Sequence, residues 1–508
     1  MLNTGCQSIR AHRPELQTRT AVRLRSRLRH PVLSSAIVAL VSSNGLAQPA
    51  ATLIDTFMKR AVEYGQFNGA ILVIDRGRRV YERAFGEANM EWHVPNTVNT
   101  RFEIASMTKP MTAIVIMQLV QEGKVRLDAK VSEYVPYYPT ETGQRITVEQ
   151  LLNHTSGLQQ DIGFIDDPIV AAVNADLLSN DSLVKLIAQR PLRFEPGMSY
   201  GYSSDAYAVL GAIIEHVTGR SYWDALRERV LQRAGMSETG VSVLRPVVPH
   251  RASGYAQTWD GYENAPHIGV TPAGGLYSTL GDIQRFDRAL YGNALVNEES
   301  KRLLFAARSV ITAYGWKTSE DTLRSGVTRR VLRTTGGLPG FGAVMVRVPS
   351  VQRTIIILAN VRTMTWRLED FAASIGRMLD GRPYSLPKRS VAEALASDVK
   401  ARVSPELIER HFEQMRRDTS RYALWETELN RLGYYALNSW RDVPRAIEVF
   451  RLNVRAFPNS GNVYDSLGEA YLAQGDTVRA RVNYRRSLEL DPNNSTAANI
   501  LRRIGPPR

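Results

Sequence analysis

Ser106 and Lys109 stand three residues apart at the start of a helical pattern, a spacing that can activate a serine as a nucleophile. A mainly apolar run over 102–105 leads into Ser106, and apolar residues then recur at helical spacing until Gly123. Residues three apart share one helical face, with Cβ atoms roughly 5–6 Å apart, so the Lys109 amine can reach the Ser106 hydroxyl and accept its proton. The pattern predicts acyl transfer through a covalent intermediate.

This spacing alone is a weak signal, because Ser182 and Lys185 repeat it inside an ordinary amphipathic stretch. We interpret the second copy as chance. Chemistry at Ser106 also needs a proton relay and an oxyanion pocket, which other segments of the fold must supply. A relay candidate is Tyr202, which stands two residues before Ser204.

Together these segments resemble the serine β-lactamase and penicillin-binding-protein-like hydrolases, in particular the branch with class C β-lactamases, D,D-carboxypeptidases and related esterases. In that family Ser-x-x-Lys is followed by Tyr-x-Asn, whose tyrosine passes protons among nucleophile, lysine and leaving group. The resemblance therefore assigns this relay to Tyr202. It covers roughly residues 50 to 385 and includes further segments in the family's order, namely LLNHTSGL at 151–158, AGGLYST at 273–279 and TGGLPGF at 335–341.

The family's third motif is Lys-Thr-Gly or His-Thr-Gly on a strand edge, and the corresponding residues here are Thr334, Thr335 and Gly336. The cation is therefore replaced by a threonine. The resemblance implies that this strand closes the site and that the backbone amides of Ser106 and Gly337 form the oxyanion hole. Because main-chain amides survive side-chain replacement, we expect the hole to be intact.

Two departures from the family pattern concern the substrate. Ser204 replaces an asparagine that helps bind a substrate acylamide, and Thr334 replaces a cation that meets a substrate carboxylate. Arg333 should point away from the site, since side chains alternate along a strand. We therefore expect Ser204, Thr334, Thr335 and Gly336 to bind a small-molecule or peptide acyl substrate, an ester or an amide, with a neutral substrate such as an ester favoured. The alternatives are β-lactamase or D,D-peptidase activity on a small molecule or peptide, and a catalytically inactive binding scaffold.

The resemblance implies an α+β fold for residues 50–385, with a mainly antiparallel sheet flanked by helices and an α-helical subdomain between its halves. An early hairpin turning at 75–78 and a late hairpin turning at 349–350, with strands over 344–348 and 354–358, agree with it. Thr147 with Gln150, and Thr279 with Asp282, mark helix starts. For His154 we expect a packing or turn role.

Residues 1–47 are interpreted as a signal peptide. They contain seven arginines and one acidic residue, followed by an apolar stretch over 32–41 and small residues up to Ala47. The stretch is too short to span a bilayer, and 45–47 is the expected cleavage site. We therefore expect an exported protein, periplasmic or secreted, without a transmembrane span after cleavage. An organellar transit peptide and a retained anchor are the alternatives.

The last hundred residues change to helical periodicity and contain a repeat of about 34 residues that resembles the tetratricopeptide pattern. We assign 420–508 to this all-α repeat domain, 386–419 to a linker, and 495–504 to a capping helix. The domain either binds a protein partner or only packs on the hydrolase. The matched positions of the two copies are Leu432, Gly433, Ala446, Phe450 and Pro458, then Tyr464, Leu467, Gly468, Tyr471, Ala480, Tyr484 and Pro492.

Composition limits the other functions. The 508 residues allow more than one domain, and the single cysteine, Cys6, lies in the leader, so neither disulfides nor thiol catalysis are expected. The formal net charge is +14, without a dense basic run that contains aromatics, and we expect no nucleic-acid binding. No residues have metal-ligand spacing and no Gly-rich phosphate loop follows a strand, so we expect no metal and no cofactor.

Overall fold

The computed structural model describes residues 44–159, 178–307, 312–362 and 365–505. The interpreted signal peptide therefore lies outside the described residues up to position 43. The strands are β1 (Gly69–Asp75), β2 (Arg78–Phe85), β3 (Glu87–Asn89), β4 (Val94–Pro95), β5 (Phe102–Glu103), β6 (Gly240–Val241), β7 (Tyr255–Thr258), β8 (Gly261–Asn264), β9 (Leu276–Ser278), β10 (Thr312–Ala313), β11 (Trp316–Thr322), β12 (Thr328–Leu338), β13 (Phe341–Val348), β14 (Arg353–Ala359), β15 (Val361–Arg362), β16 (Arg389–Ser390) and β17 (Tyr422–Ala423).

Helices account for most of the remaining described chain. They are α1 (Asn44–Glu63), α2 (Lys109–Gln121), α3 (Val131–Tyr134), α4 (Thr140–Gly143), α5 (Val148–Leu152), α6 (Asn180–Ala188), α7 (Ser204–Thr218), α8 (Tyr222–Leu226), α9 (Gln232–Ala234), α10 (Leu280–Ala289), α11 (Glu298–Leu304), α12 (Thr365–Leu379), α13 (Val391–Lys400), α14 (Pro405–Arg417), α15 (Glu426–Asn438), α16 (Val443–Ala456), α17 (Gly461–Gln474), α18 (Thr477–Leu490) and α19 (Ser495–Ile504). None of these described helices is long and apolar enough to cross a bilayer.

The central element is a seven-stranded sheet in the order β10-β11-β12-β13-β14-β1-β2, in which every neighbouring pair is antiparallel. Both predicted hairpins are present, as β1–β2 and β13–β14. Apolar side chains alternate between two cores, because successive residues of a strand face opposite sides. On β1, Ile71 and Val73 join Phe57 of α1 and Phe371 of α12, whereas Leu72 packs in the core beneath α2 and α7. The expected α+β architecture is confirmed.

The segment 386–419 corrects our interpretation of a linker. It contains α13 and α14, whose apolar faces form one buried cluster through Leu395, Ile408 and Phe412, together with Leu429 of α15. Mixed charge and flanking prolines suggested a connector, but the apolar residues recur at helical spacing and bury a core of their own. The segment is therefore folded rather than extended.

The C-terminal region is all-helical, and α15–α16 and α17–α18 form successive helix pairs. In each pair a glycine lies under an aromatic ring, as the repeat predicts: a Cβ on Gly433 would lie 2.5 Å from the Phe450 ring, and one on Gly468 would lie 3.2 Å from the Tyr484 ring. Helix α19 matches the expected capping helix. The helical region is thus present, while its assignment to the tetratricopeptide class stays a prediction, as do the domain boundaries.

Candidate active site

Ser106 lies in a 3₁₀ turn, Ala105–Thr108, that runs directly into α2. The turn is strained, because Ala105 has a φ of +48°, a left-handed conformation that costs a non-glycine residue of order 1–3 kcal/mol. Two backbone segments hold it in place: a Cβ on Gly336 would lie 2.0 Å from the Ile104 carbonyl oxygen, and one on Gly274 would lie 3.3 Å from the Ala105 carbonyl carbon. The turn is therefore fixed between two glycines.

Ser106, Lys109 and Tyr202 form one hydrogen-bonded cluster. The Lys109 Nζ lies 3.1 Å from the Ser106 Oγ, and the Tyr202 hydroxyl donates to the same oxygen at 2.9 Å. Lys109 is 3% exposed, and its other hydrogen bonds go to the Ser204 Oγ at 3.2 Å and the Ala273 carbonyl at 3.0 Å. Each of these three acceptors is a neutral oxygen, and the amine also lies 4.8 Å from the centre of the Tyr202 ring.

The second Ser-x-x-Lys copy has a different environment, which makes it an internal control. The Ser182 hydroxyl shares a hydrogen bond of 2.9 Å with Ser179, the residue that caps α6. The Lys185 Nζ lies over the Tyr137 ring, 4.9 Å from its centre. The same Ser-x-x-Lys spacing therefore occurs twice, but the hydrogen-bonded cluster of serine, lysine and tyrosine is observed at Ser106.

The start of α7 positions Tyr202 and Ser204. Ser203 is the N-cap, and its hydroxyl accepts a hydrogen bond from the Ala206 amide at 3.1 Å and donates one to the Gln159 carbonyl at 2.8 Å. This cap fixes the residues on either side of it. The Ser204 hydroxyl oxygen accepts a hydrogen bond from the Lys109 amine, and its role in substrate binding stays a prediction. The structure thus adds Ser204 to the polar cluster around the amine.

His154 supports the cluster from beneath. It has a φ of +62° and is 4% exposed, its Nδ1 accepts the Ser203 amide proton at 3.3 Å, and its ring centre lies 4.6 Å from that of Tyr202. Burial, with the positive charge of Lys109, lowers the pKa of His154 from 6.5 to about 3. The imidazole is therefore neutral at ordinary pH, in agreement with the packing and turn role expected from the sequence.

The strand β12 brings the third predicted motif beside the nucleophile turn. Strand β11 pairs with β12 only up to Arg333, whereas β13 pairs with it through Leu338. The missing Cβ of Gly336 lets one face of β12 approach the Ile104 carbonyl, directly before the nucleophile turn. Thr334, which is 4% exposed, shares a face with Gly336, whereas Thr335 lies on the opposite face. Arg333 also faces away, and its guanidinium lies 3.9 Å from Glu369. The roles of Thr334, Thr335, Gly336 and Gly337 stay predictions.

Sequence reasoning missed the part that the AGGLYST segment plays. The segment was noted as a supporting motif, but its carbonyl at Ala273 accepts from Lys109 and its Gly274 packs under the nucleophile turn. A backbone carbonyl has no side-chain signature, so only the small residues at 273–275 could have indicated this close approach. Within the described ranges, no group of three or more His, Cys, Asp or Glu side chains could hold a metal ion.

Three comparisons with known proteins bear on the family and the fold of this chain. A family model described as Beta-lactamase matches residues 50–373. The chain is 30% identical over 363 residues to Penicillin-binding protein 4* of Bacillus subtilis (strain 168), covering 66% of this chain and 77% of that protein. The crystal structure of a penicillin binding protein from Bacillus halodurans has a TM-score of 0.57 at 25% identity, covering 63% of this chain and 98% of that one. A class C beta-lactamase, at 21% identity, shares the fold with a TM-score of 0.54 over 68% of this chain and 98% of that one.

Proposed function

This chain belongs to the β-lactamase family, whose members are serine hydrolases, and we propose that it is an exported serine acyl hydrolase with Ser106 as its nucleophile. One observation carries the proposal: the hydroxyl of Ser106, the amine of Lys109 and the phenol of Tyr202 meet within hydrogen-bond distance. A nucleophile within hydrogen-bond reach of a base, which is itself oriented by further contacts, is the arrangement that covalent catalysis requires.

In the proposed first step, an unprotonated Lys109 amine accepts the Ser106 proton, directly or through the Tyr202 phenol. The freed oxygen attacks the substrate carbonyl, and the tetrahedral intermediate collapses as the leaving group takes a proton from the Tyr202–Lys109 pair. Water then attacks the acyl-enzyme and gives up a proton to the same pair, which returns it to the Ser106 oxygen as the acyl–oxygen bond breaks and the acid is released. The amine at 3.1 Å and the phenol at 2.9 Å are both close enough for these transfers.

We propose the backbone amides of Ser106 and Gly337 as the oxyanion hole. The support is the tight approach of Gly336 to the Ile104 carbonyl, which places β12 against the nucleophile turn just beyond the point where β11 stops pairing with it. Donors that are fixed by the backbone need no reorganisation as negative charge develops on the carbonyl oxygen. Such a hole acts on an ester, an amide or a lactam alike, so it does not itself select the substrate.

We propose a neutral acyl substrate such as an ester. The support lies in three side chains: Thr334 carries no charge, Arg333 points towards Glu369, and Ser204 already contacts Lys109. A substrate carboxylate would therefore lack the cation that the family pattern places at position 334. β-Lactamase or D,D-peptidase activity is the second candidate, and the relative at 30% identity, a penicillin-binding protein by name, favours it.

The leader and the C-terminal helices complete the proposal. Export to the periplasm or the exterior rests on the arginine-rich leader with its apolar stretch. A role of the C-terminal helices in binding a protein partner rests on the two successive helix pairs, α15–α16 and α17–α18, which resemble a repeat used for recognition. The leader and the C-terminal helices thus bear on the location and the partners of the hydrolase rather than on its chemical mechanism.

Hydrolysis of a short-chain aryl ester by the purified chain tests the nucleophile. Ser106→Ala and Lys109→Met are expected to lower kcat/KM by roughly 10³-fold or more, and Tyr202→Phe by roughly 10²-fold to 10⁴-fold. Ser182→Ala and Lys185→Met are matched controls, because they remove the same side chains from the second copy, and activity should stay within twofold. Turnover that survives Ser106→Ala, or wild-type protein that neither turns over nor is acylated at Ser106, would favour the binding scaffold.

A chromogenic cephalosporin as second substrate separates the two candidate activities. We expect the wild type to prefer the ester, and the double variant Ser204→Asn with Thr334→Lys to shift preference towards the cephalosporin, because it restores the amide and the cation of the family pattern. The ratio of the two kcat/KM values is the measurement. A wild type that prefers the cephalosporin would replace the ester proposal by β-lactamase activity.

A further inference from the structure

The hairpin formed by β7 and β8 joins the hydrolase to the C-terminal helices at its tip. The tip residue Asp260 makes an ion pair with Lys400 of α13 at 2.6 Å. The same carboxylate accepts hydrogen bonds from the Tyr435 hydroxyl at 2.8 Å and from the Trp440 Nε1 at 3.1 Å. The preceding residue, Trp259, packs against the apolar cluster of α13, α14 and α15. Lys400 and Tyr435 on helices, and Trp440 in the connection after α15, therefore hold one carboxylate, and we call this arrangement the Asp260 clasp.

The base of the same hairpin is fixed to the turn that follows β12. The Ala265 amide donates to the Gly254 carbonyl at 2.9 Å, which closes the base. A Cβ on Gly340 would lie 2.6 Å from the Ala265 Cβ and 2.7 Å from the Gly254 carbonyl carbon, while one on Gly254 would lie 2.4 Å from the Phe341 ring. These contacts leave no room between the hairpin base and the 338–341 turn, so a displacement of one moves the other.

A cavity of about 490 Å³ lies at this junction. The hairpin base lines one side with Gly254 and Asn264, and the segment 265–268 continues that side. The opposite sides come from Leu338, which directly follows Gly337, and from Glu103, which leads into the nucleophile turn. Leu338 and Glu103 thus bring the segments that we propose as the oxyanion strand and the nucleophile support to this cavity, and residues 244–248 and 251–253 supply most of the remaining lining.

We propose that the C-terminal helices position one wall of this substrate cavity through the Asp260 clasp, which makes Asp260 a residue that sets substrate specificity. The inference rests on the proposed function, since it takes the cavity to be a substrate site. The clasp holds the tip of a hairpin only four residues long on each strand, and the base of that hairpin is the cavity wall. Helices outside the hydrolase thereby take part in substrate binding without touching substrate.

If the Asp260 clasp only stabilises the fold, its removal should have a different effect from its removal if it also positions the cavity wall. The clasp is partly exposed, with 36% of the Asp260 side chain and 54% of the Lys400 side chain accessible, so its loss should leave the fold intact. Loss of a structural contact alone would change stability. Loss of a positioning contact should also loosen the segment 264–268 and alter KM for substrates that fill the cavity, while kcat for a small ester stays nearly constant.

The experiment compares Asp260→Ala and Tyr435→Phe with the wild type and with Asp128→Ala, which removes an exposed aspartate that pairs with Arg126 at 3.5 Å. Amide hydrogen exchange over 261–268 should become roughly tenfold faster in Asp260→Ala and change less in Tyr435→Phe. KM for a bulky aryl ester should rise roughly threefold to tenfold in Asp260→Ala, with kcat for acetyl ester within twofold. Asp128→Ala should match the wild type in both measurements.

Unchanged exchange over 261–268, or faster exchange with no change in KM for the bulky ester, would overturn the inference. Exchange needs no turnover, so it also tests the clasp if the wild type hydrolyses none of the esters. In that case the proposed function fails, and the exchange result alone decides whether the helices hold the hairpin. The two failures are therefore distinguishable.

Discussion

His154 is buried beside the proposed relay tyrosine in a backbone conformation that few residues adopt. Its φ of +62° is tolerated best by glycine and asparagine, and its imidazole is kept neutral by burial. Its Nδ1 accepts the amide of Ser203, which requires the proton of the neutral ring to lie on Nε2. The histidine therefore holds Ser203, the residue next to Tyr202, as a neutral hydrogen-bond acceptor.

The pKa of His154 leads to a prediction about stability. The pKa falls from 6.5 to about 3 on folding, so between these values the unfolded chain binds a proton that the folded chain does not. The free energy of unfolding should accordingly decline as the pH drops below 6.5, by about 1.4 kcal/mol per pH unit from this group. In His154→Asn, which tolerates the positive φ, that decline should disappear. Urea unfolding at pH 7 and at pH 5 measures it.

His93→Asn is the matched control for this experiment. His93 also has a positive φ, of 51°, but its side chain is 82% exposed and pairs with Glu87 at the surface. Its replacement should leave the difference in unfolding free energy between the two pH values close to that of the wild type. An equal pH dependence in the wild type and in His154→Asn would contradict a neutral, buried imidazole.

Among structural elements, β12 depends on the absence of a side chain at Gly336. We expect Gly336→Ala to destabilise the protein by about 1–3 kcal/mol, because its Cβ would meet the Ile104 carbonyl oxygen at 2.0 Å and push strand and turn apart. A displacement of roughly 1 Å at the site should also lower kcat/KM by roughly 10²-fold. Ester hydrolysis and urea unfolding of the same sample measure both effects.

Gly376→Ala provides the comparison, because a Cβ there would meet nothing within 4 Å and the residue lies inside helix α12. Alanine should stabilise that helix by about 0.5–1 kcal/mol and leave the ester activity unchanged. If Gly336→Ala kept full activity, the close approach between β12 and the nucleophile turn would not matter for catalysis.

The elements that could be predicted are those with local patterns. Three such features depend only on neighbours in sequence, and the structure contains each of them. They are the two hairpins, the capping residues Thr147 and Thr279, and the helix that follows Ser106. The resemblance to the family brought Tyr202 to the same site, although it lies 96 residues from Ser106. Local spacing together with an ordered set of motifs was therefore sufficient for the fold and for the central cluster.

The contacts that could not be predicted are long-range and often involve the backbone. The Lys109 bond to the Ala273 carbonyl spans 164 residues, and a carbonyl leaves no trace in the side-chain pattern. The positive φ of Ala105 has no signature either, since only tertiary packing imposes it. For α13 and α14, mixed charge on the exposed faces concealed the apolar positions that form their core.

Across the whole hydrolase, a buried group of arginines and aspartates ties the sheet to helix α12. Asp380 accepts from Arg329 at 2.7 Å and pairs with Arg353 at 3.0 Å, and both arginine side chains are 5% exposed. Burial by itself would raise the pKa of Asp380, but the two guanidinium groups hold it below its usual 3.8. The pairing therefore stabilises the folded chain above pH 3.8, and this contribution is lost as the pH falls below that value.

We expect Asp380→Asn to lower the free energy of unfolding by about 1–3 kcal/mol at pH 7, because two buried guanidinium groups lose one charged partner, while Arg329 keeps Asp321 at 2.9 Å and Arg353 keeps Asp75 at 2.6 Å. Below pH 3.8 the wild type should lose stability more steeply than the variant, so the difference between them should shrink. Urea unfolding at pH 7 and pH 3 measures it. Asp224→Asn, which breaks an exposed pair with Arg227, should cost at most about 1 kcal/mol. An equal cost for the two variants would contradict the buried pairing.

The Asp260 clasp also has a consequence for the order in which the protein is completed during synthesis. Tyr435 and Trp440 follow Asp260 by 175 and 180 residues. At roughly 5–20 residues per second, a ribosome needs on the order of ten to forty seconds to add them. During that interval the proposed nucleophile, base and relay residues already exist, while the hairpin tip lacks both Tyr435 and Trp440. The newborn chain therefore completes the contacts that we propose to fix the cavity wall only while its last fifth is being made.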